Sequence, residues 1–409
     1  MFDAVSKCRI CGNERLVTVL ELGNQALTGV FPKSKEARVT SGPLTLVKCS
    51  GEGHCGLLQL AHSYSLAEMY GENYGYRSGL NPSMVAHLKA KVDRIKAQGI
   101  VQSGDIVVDI GSNDATTLKQ YGLPDVTLVG FDPTGLKFRE FYTSNIRLVP
   151  DFFSAGAFRQ AFGSRKAKVV TSFAMFYDLE DPIAFMREVS DILDDQGIWV
   201  FEQSYMPSML ATTSYDTICH EHLEYYSLGQ ILWMAERADL KVIDVELNEA
   251  NGGSFSVVAQ KKRGPGKVAP AVHAMIEAER SQRLDDLQTY IDFGRRVQQS
   301  KQELLAFLQQ ARAAGKKVAG LGASTKGNVI LQYCGIDSSL LYAIGEVNRD
   351  KFGAYTPGTH IDIVDEQQIL ASKPDYVLVL PWHFRKFFES QPRYAGLNMV
   401  FPLPWLSTR

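Results

Sequence analysis

The densest group of reactive side chains in the sequence lies between residues 215 and 227. Eight consecutive residues, 219–226, combine a thiol, two imidazoles, two carboxylates and two phenols. Such a set can move protons near neutral pH, where histidine is the best-placed base. A helix start with solvated charges or a metal site are the alternatives, although two histidines only two residues apart do not suit metal ligands on a helix. We predict a catalytic role for this stretch, whose reactive residues are Cys219, His220, Glu221, His222, Glu224, Tyr225 and Tyr226.

A second candidate site lies where a buried strand runs into a turn at Gly111. The apolar residues 106–108 are followed by Asp109 and then by Gly111. In doubly wound sheets, ligands bind at such turns, outside the carboxyl ends of the strands. The second and third glycines of a dinucleotide fingerprint are absent, which favours a ligand without a pyrophosphate, such as S-adenosylmethionine (SAM). An ordinary α/β turn with an aspartate cap is the alternative.

The strands predicted next also end in residues that suit SAM. The strand at 126–131 ends in Asp132, which can accept hydrogen bonds from ribose hydroxyls. A third strand, at 146–149, is followed by a carboxylate and an aromatic ring that suit an adenine. The predicted cofactor-binding residues are Asp109, Gly111, Asn113, Asp132, Asp151 and Phe152.

Four of the six cysteines lie within the first 55 residues, in two pairs. Cys8 and Cys11 are separated by two residues, Cys49 and Cys55 by five, and each pair is followed by glycine. In a reducing compartment this clustering indicates metal rather than disulfides. Four thiolates predict a closed, structural zinc site. His54 is the alternative fourth ligand, and four unrelated buried thiols are the other interpretation.

The bulk composition is that of an ordinary globular protein of two or three domains. Of 409 residues, 45% are hydrophobic and 22% are charged, and Lys+Arg 43 against Asp+Glu 45 gives a formal net charge of -2. This balance provides no basic field for nucleic acid. No apolar run is long enough to span a bilayer, and the amino terminus has no apolar signal core. We therefore expect a cytoplasmic monomer or small homo-oligomer without nucleic-acid or membrane partners.

The elements that must position these residues follow a β-α alternation. From residue 106 onward this alternation, with further strands predicted at 168–171 and 197–202, favours a parallel sheet with right-handed crossovers. Residues 263–266 resemble a linker, and two helices broken near Gly294 are predicted across 268–314. The predicted fold class is α/β, with a zinc-binding amino-terminal ribbon (1–68), a central Rossmann-like SAM-dependent methyltransferase domain (69–262) and a carboxyl-terminal Rossmann-like α/β domain (263–409).

A second strand, glycine-rich turn and helix occur at 317–334. This arrangement can hold phosphate on backbone amides and on the positive end of the helix, and a lysine adds charge. The Walker spacing is absent, so the turn is not a P-loop. Tight packing of the strand on the helix is the alternative. The candidate phosphate-binding residues are Gly322, Ser324, Thr325 and Lys326.

Taken together, these motifs resemble the sugar C-methyltransferases. The resemblance rests on the Cys-x-x-Cys ribbon, the Val-Asp-Ile-Gly-Ser-Asn-Asp loop and the Glu-His pair, and it covers nearly the whole chain. It implies methylation of C3 in a nucleotide-linked 4-keto-deoxysugar. It also implies three parts, which bind zinc, SAM and the nucleotide. The carboxyl-terminal segments 346–351, 356–361 and 378–383 extend the resemblance and add Lys351 as a candidate for binding the diphosphate.

The resemblance also implies roles for individual residues. His222 matches the base of the family, and Glu221 would orient it or bind sugar hydroxyls. The family has a tyrosine where this chain has Cys219, and Tyr76 matches a second active-site tyrosine that can supply the missing hydroxyl. His220 is a further catalytic candidate, and Tyr225 is a candidate for binding substrate.

The reaction implied by the resemblance is methylation of an enolate. Carbon is methylated only as a carbanion equivalent, so a base must remove a proton α to the ketone while donors stabilise the developing oxyanion. The enolate carbon then attacks the methyl group of SAM. The alternatives are a methyltransferase acting on another ketone or on nucleic acid, an NAD-dependent oxidoreductase, and a catalytically inactive relative marked by Cys219.

Overall fold

The fold is that of a computed structural model, which describes residues 2–69 and 76–409. The sequence has a loop rich in tyrosine and glycine at residues 70–79, after the cysteine ribbon; residues 70–75 lie outside the described residues, and Tyr76 lies within them. Within these residues, the strands form three larger sheets and one two-stranded sheet, and helices connect them. The predicted α/β class, with a ribbon followed by two Rossmann-like units, is confirmed.

The amino-terminal part is an antiparallel ribbon. Alternating side chains predict short strands at Leu16–Leu22 and Leu44–Lys48, and the observed strands are longer because their pairing continues through two irregularities in register. Leu44 and Leu46 alternate on one face and are fully buried, which fixes the register of the ribbon on the core. The elements are β1 (Phe2–Ala4), β2 (Leu16–Ala26), β3 (Ser41–Cys49), β4 (Leu58–Leu60), β5 (His62–Tyr64) and α1 (Leu66–Met69).

The central sheet has seven strands in the order β12-β13-β10-β9-β6-β7-β8. All are parallel except β13, which is antiparallel to both of its neighbours. The strand order reverses between β6 and β9, so the turn after β6 lies at the switch point where such sheets bind ligands. The elements are α2 (Pro82–Ala97), β6 (Ile106–Ile110), α3 (Thr116–Lys119), β7 (Thr127–Phe131), β8 (Ile146–Val149), α4 (Ala155–Phe162), β9 (Ala167–Phe173), α5 (Pro182–Ile192), β10 (Leu193–Ser204), α6 (Met206–Ala211), β11 (Glu224–Tyr225), α7 (Leu228–Arg237), β12 (Leu240–Asn248) and β13 (Ser254–Lys261).

One strand of the central part joins the ribbon instead of the central sheet. Strand β11 pairs with β4, with Glu224 opposite Gln59 and Tyr225 opposite Leu58. The ribbon sheet therefore has the order β11-β4-β3-β2. Because β11 begins two residues after His222, the ribbon holds the chain immediately beyond the candidate base.

The carboxyl-terminal sheet has the order β16-β15-β14-β17-β18-β19, parallel except for β19. Its core is continuous with that of the ribbon, since Leu44, Tyr215 and Leu321 belong to one buried cluster. Among the helices of the described ranges, none has the length and apolar composition to cross a bilayer. The elements are α8 (Pro270–Ser281), α9 (Leu287–Ala313), β14 (Val318–Leu321), α10 (Thr325–Cys334), β15 (Ile344–Glu346), β16 (Ile363–Asp365), α11 (Glu366–Ser372), β17 (Tyr376–Val379), α12 (Arg385–Ser390), β18 (Met399–Phe401) and β19 (Ser407–Thr408).

The helix break predicted near Gly294 is wrong. Helix α9 continues through this glycine, and the interruption lies between α8 and α9. A methyl group on Gly294 would lie 2.9 Å from the carbonyl oxygen of Val19, so the glycine lets α9 approach the ribbon. Helix α8 packs on the central part, where Val272 and Met275 enter its core.

Candidate active site

The tautomer of His222 is set by the turn that precedes it. Residues Tyr215–Thr217 form one 3-10 turn. Nδ1 of His222 lies 2.8 Å from the carbonyl oxygen of Thr217. A carbonyl only accepts, so Nδ1 carries the hydrogen and Nε2 keeps its lone pair. The hydrogen bond of Nδ1 is the one that the His222 ring forms with the described residues, so Nε2 is available to accept a proton.

The surroundings keep His222 neutral. Its ring lies against the ring of Tyr177, with centroids 4.2 Å apart. Burial lowers the pKa of His222 to about 4, and the charge of Lys326 acts in the same direction. Its hydrogen bond to Thr217 partly opposes this shift. The imidazole is therefore a neutral base at physiological pH.

A short segment after β9 contacts both the candidate base and the turn Gly111–Asn113, which is predicted to bind SAM and is called the SAM turn below. Met175 lies against Gly111, whose φ of 73° is the left-handed conformation that glycine adopts without strain. Two residues later, Tyr177 lies against His222. The segment from Met175 to Tyr177 therefore contacts both the turn predicted to bind SAM and His222.

Asp132 organises the SAM turn. Its two carboxylate oxygens accept the backbone N–H groups of Asn113 and Thr134, each at 2.7 Å. The side chain of Asn113 in turn donates to the carbonyl oxygen of Tyr76, at 3.1 Å. Tyr76 is half exposed, so its backbone is fixed beside the turn while its side chain is open to solvent.

The predicted SAM residues on the neighbouring strands differ in exposure. Asp109 is buried and its Oδ1 accepts the hydroxyl of Thr171 at 2.6 Å, so it supports the sheet beneath the turn. Burial raises the pKa of Asp109 to about 7. Asp151 is exposed, and the ring of Phe152 is 52% exposed and open to stacking. The adjacent Phe153 instead packs on the core.

The four predicted zinc ligands converge. Their Sγ atoms all lie within 4.8 Å of one another, with separations of 3.4 Å for Cys8–Cys55 and 3.6 Å for Cys11–Cys49. Ligands about 2.3 Å from a tetrahedral zinc lie about 3.8 Å apart, so the cluster fits the ion. His54 is exposed, which leaves Cys55 as the fourth ligand.

Two of the predicted catalytic and substrate residues, Cys219 and Tyr225, lie near the carboxylate of Glu221. Its Oε2 is buried without a hydrogen-bond partner among the described residues, and burial raises its pKa. The Cys219 thiol lies beside it and is buried, which raises the pKa of the thiol. The Tyr225 hydroxyl is buried, and none of the residues that the structure describes forms a hydrogen bond with it. A methyl group on Gly29 would lie 2.9 Å from Oε1 of Glu221, so the ribbon also borders this group.

His220 is placed differently from His222. It is fully buried, its ring meets that of Tyr64 edge-on at 4.6 Å, and Nε2 lies 3.4 Å from the carbonyl oxygen of Gly42. Burial lowers its pKa to about 4. These contacts hold the segment on the ribbon and leave His220 no access to a substrate.

Lys326 extends from the start of α10 toward His222. Its amine donates to the carbonyl oxygen of Asn251 at 2.6 Å, which joins the carboxyl-terminal part to the central part. Asp216 is fully buried nearby and accepts the indole N–H of Trp382 at 2.8 Å. Burial lowers the pKa of Lys326, and the carboxylate of Asp216 opposes this shift.

The rest of the carboxyl-terminal turn is tightly packed. A methyl group on Gly322 would lie 2.6 Å from the ring of Pro381, which supports packing as one role of this glycine. Ser324 caps α10 by accepting the N–H of Gly327 at 3.0 Å. Lys351 donates to the carbonyl oxygen of Ala323 at 2.7 Å, beside the turn. Thr325, the first residue of α10, borders the group around Glu221 through Gly29.

The structure adds specific contacts to the predicted site. Tyr177 and Thr217 contact His222, and Asn251 binds Lys326. Thr217 lies within the stretch 215–227 that was predicted to be catalytic, and the glycines after Asn251 indicate close backbone approach at the pocket, but the contacts themselves were not predicted. They depend on the chain folding back on itself.

Comparison with known families divides the chain into three matched parts. Residues 8–70 match a family profile described as "Putative zinc binding domain", and residues 84–245 match "Methyltransferase domain". Residues 249–404 match "C-methyltransferase C-terminal domain". The order agrees with the ribbon, the central sheet and the carboxyl-terminal sheet.

One curated relative is similar over almost the whole chain. It is C-methyltransferase NovU of Streptomyces niveus, 28% identical over 406 residues, covering 98% of this chain and 96% of the relative. Among solved structures, plantazolicin methyltransferase BpumL in complex with SAH is 12% identical, with a TM-score of 0.34, covering 43% of this chain and 83% of the other. An O-methyltransferase family protein from Burkholderia thailandensis is 16% identical, with a TM-score of 0.34, covering 44% and 58% respectively.

Proposed function

We propose that the chain, whose three parts match zinc-binding, methyltransferase and C-methyltransferase C-terminal family models, is a SAM-dependent C-methyltransferase that methylates carbon α to a ketone. The substrate we propose is a nucleotide-linked 4-keto-6-deoxysugar, methylated at C3. This assignment replaces the oxidoreductase alternative. The similarity to NovU supports a small-molecule substrate.

The observation that carries the proposal is the state of His222. Its Nδ1 is committed to the carbonyl oxygen of Thr217, and its neutral Nε2 is unpartnered among the described residues. A proton α to a ketone is removed by such a base, and its electron pair moves to the ketone oxygen to give an enolate. SAM supplies the electrophilic methyl group. Glu221 would bind substrate hydroxyls, which its Oε2, unpartnered among the described residues, supports.

The remaining predicted residues would bind the two ligands. The turn from Gly111 to Asn113, with Asp132, would hold SAM, and Phe152 would stack on its adenine. The turn at residues 322–325 and Lys351 would meet the diphosphate of the nucleotide. Tyr76 stands beside the SAM turn and would supply a hydroxyl to the sugar. The zinc site is structural because four thiolates leave no open position.

The test begins with isothermal titration of SAM and then of dTDP, GDP, CDP and UDP into zinc-loaded protein. We expect SAM to bind and one nucleotide to be preferred. The corresponding 4-keto-6-deoxysugar nucleotide should then exchange its α proton in D2O without SAM, and His222→Gln should lose this exchange. His273→Gln is the matched control, because His273 is exposed on α8. SAM binding without any nucleotide response would discard the nucleotide sugar.

A further inference from the structure

Two lysines near the carboxyl-terminal glycine-rich turn, Lys326 and Lys351, donate to different partners. Lys351 stays at the turn, with its amine on the carbonyl oxygen of Ala323 and over the ring of Phe31. Lys326 instead leaves the turn, and its amine reaches the carbonyl oxygen of Asn251 in the central part. Lys326, which was predicted to bind phosphate, therefore contacts the central part of the chain, and its charge acts on His222.

The position of Lys326 follows from the packing of α10. This helix lies against the turn Tyr215–Thr217, and the hydroxyl of Tyr215 meets the thiol of Cys334 at 3.6 Å. The carbonyl oxygen of Thr217, in the same turn, holds Nδ1 of His222. One short turn thus serves both the base and the helix that carries the lysine.

The groups around the ammonium of Lys326 leave it able to stabilise a negative charge that develops on a bound substrate. Asp216 is fully buried with Oδ1 unpartnered among the described residues, and it offsets the ammonium charge. The positive charge of Lys326 lowers the pKa of both His222 and His383. Cys219, like Asp216, acts on Lys326 in the opposite sense and raises its pKa. Burial lowers the pKa of His383 to about 3, so it adds no positive charge. An ammonium has three donors, and only one has a partner among the described residues.

We propose that Lys326 is a catalytic residue whose ammonium group donates a hydrogen bond to the ketone oxygen and stabilises the enolate formed when His222 removes the α proton. This inference rests on the proposed function. The C–H proton passes to Nε2 of His222 and the electron pair of that bond moves onto the ketone oxygen. The enolate carbon then forms a bond to the methyl group of SAM while the methyl–sulfur bond breaks. The electron pair of the broken bond stays on sulfur. The ketone is restored and the imidazolium returns its proton to water.

The test compares Lys326→Met with Lys351→Met and Lys326→Arg. We expect Lys326→Met to slow α-proton exchange of the 4-keto-6-deoxysugar nucleotide at saturating concentration by about 100-fold or more, the cost of losing one oxyanion donor. Its affinity for the free nucleoside diphosphate should change less than threefold. Lys351→Met should instead weaken the affinity for the free nucleoside diphosphate, and Lys326→Arg should retain part of the exchange. Weakened diphosphate binding with unchanged exchange in Lys326→Met would overturn the proposal.

A second measurement needs no substrate. NMR titration of His222, assigned with His222→Gln, should show a higher imidazole pKa in Lys326→Met than in the wild type, because a neighbouring positive charge has been removed. An unchanged pKa would overturn the proposal even if no nucleotide sugar is turned over, which separates its failure from that of the proposed function. If Lys326→Met does not fold, as judged by circular dichroism and SAM binding, the same measurements on Lys326→Gln decide.

Discussion

Nε of Arg9 lies 3.6 Å from Oε1 of Glu224, and both side chains are almost completely buried. Arg9 stands between two zinc ligands, Cys8 and Cys11, and Glu224 begins β11, two residues after His222. Arg9 also donates to the carbonyl oxygen of His62 at 3.1 Å. The zinc knuckle and the segment of the base are therefore coupled by a buried ion pair as well as by strand pairing.

This coupling predicts that loss of zinc will impair proton abstraction more than SAM binding. In Cys49→Ser, which lacks one of the four thiolates, we expect reduced zinc content, a lower unfolding temperature and loss of most α-proton exchange. The SAM turn belongs to the central sheet, so the Kd for SAM should change less. Metal analysis, thermal unfolding and calorimetry measure the three effects.

Cys334→Ala is the control for loss of a buried thiol, because Cys334 lies in α10, outside the cluster. It should retain zinc. A zinc-free Cys49→Ser protein with wild-type proton exchange would contradict the coupling.

The pH dependence of proton abstraction should report the lowered pKa of His222. Only the neutral imidazole can accept a proton, so activity falls as pH falls through its pKa. With a pKa of about 4, activity should hold from pH 7 to about pH 5 and decline below that. Initial rates of α-proton exchange between pH 3.5 and 8, limited to pH values at which circular dichroism shows folded protein, check this. An acidic limb near 6.5, the usual value for histidine, would contradict the buried environment.

The role of Asp132 predicts a selective effect on SAM. In Asp132→Asn, the side chain has one carbonyl oxygen for the N–H groups of Asn113 and Thr134, so one donor loses its partner. We expect the Kd for SAM to rise by about tenfold, the effect of losing roughly 1.4 kcal/mol. Calorimetry measures this, and Asp125→Asn, at an exposed left-handed position where asparagine fits, is the control. An unchanged Kd would remove Asp132 from the SAM site.

Two of the glycines within helices, Gly294 and Gly156, should respond in opposite directions to substitution by alanine. A methyl group at Gly294 would meet the carbonyl oxygen of Val19 at 2.9 Å, and such overpacking costs about 1–3 kcal/mol. At Gly156, in α4, the nearest atom would be 3.8 Å away, so the better helix propensity of alanine should stabilise by up to about 1 kcal/mol. Urea unfolding of both variants checks the difference. Equal stabilisation would show that α9 does not approach the ribbon this closely.

Local patterns in the sequence were sufficient to predict the main parts of the fold. The strand at Ile146–Val149 has the predicted bounds, and β6 and β7 begin within a residue of prediction. The four zinc ligands were also identified from spacing. Such features depend on neighbouring residues, because side-chain alternation and short turns fix the backbone locally. Gly294 shows the limit, since a glycine inside a helix and one that ends a helix look alike until its packing partner is known.

The sequence by itself determined which side chains could do chemistry and which turns could bind ligands. The tertiary structure decided how they combine. It separated His222, which is free to accept a proton, from His220, which is buried on the ribbon, although the two are only two residues apart. It also brought Lys326 to Asn251, which is 75 residues earlier in the chain. Such contacts arise when separate sheets pack together to bury their apolar faces, and no local spacing encodes which polar groups then meet.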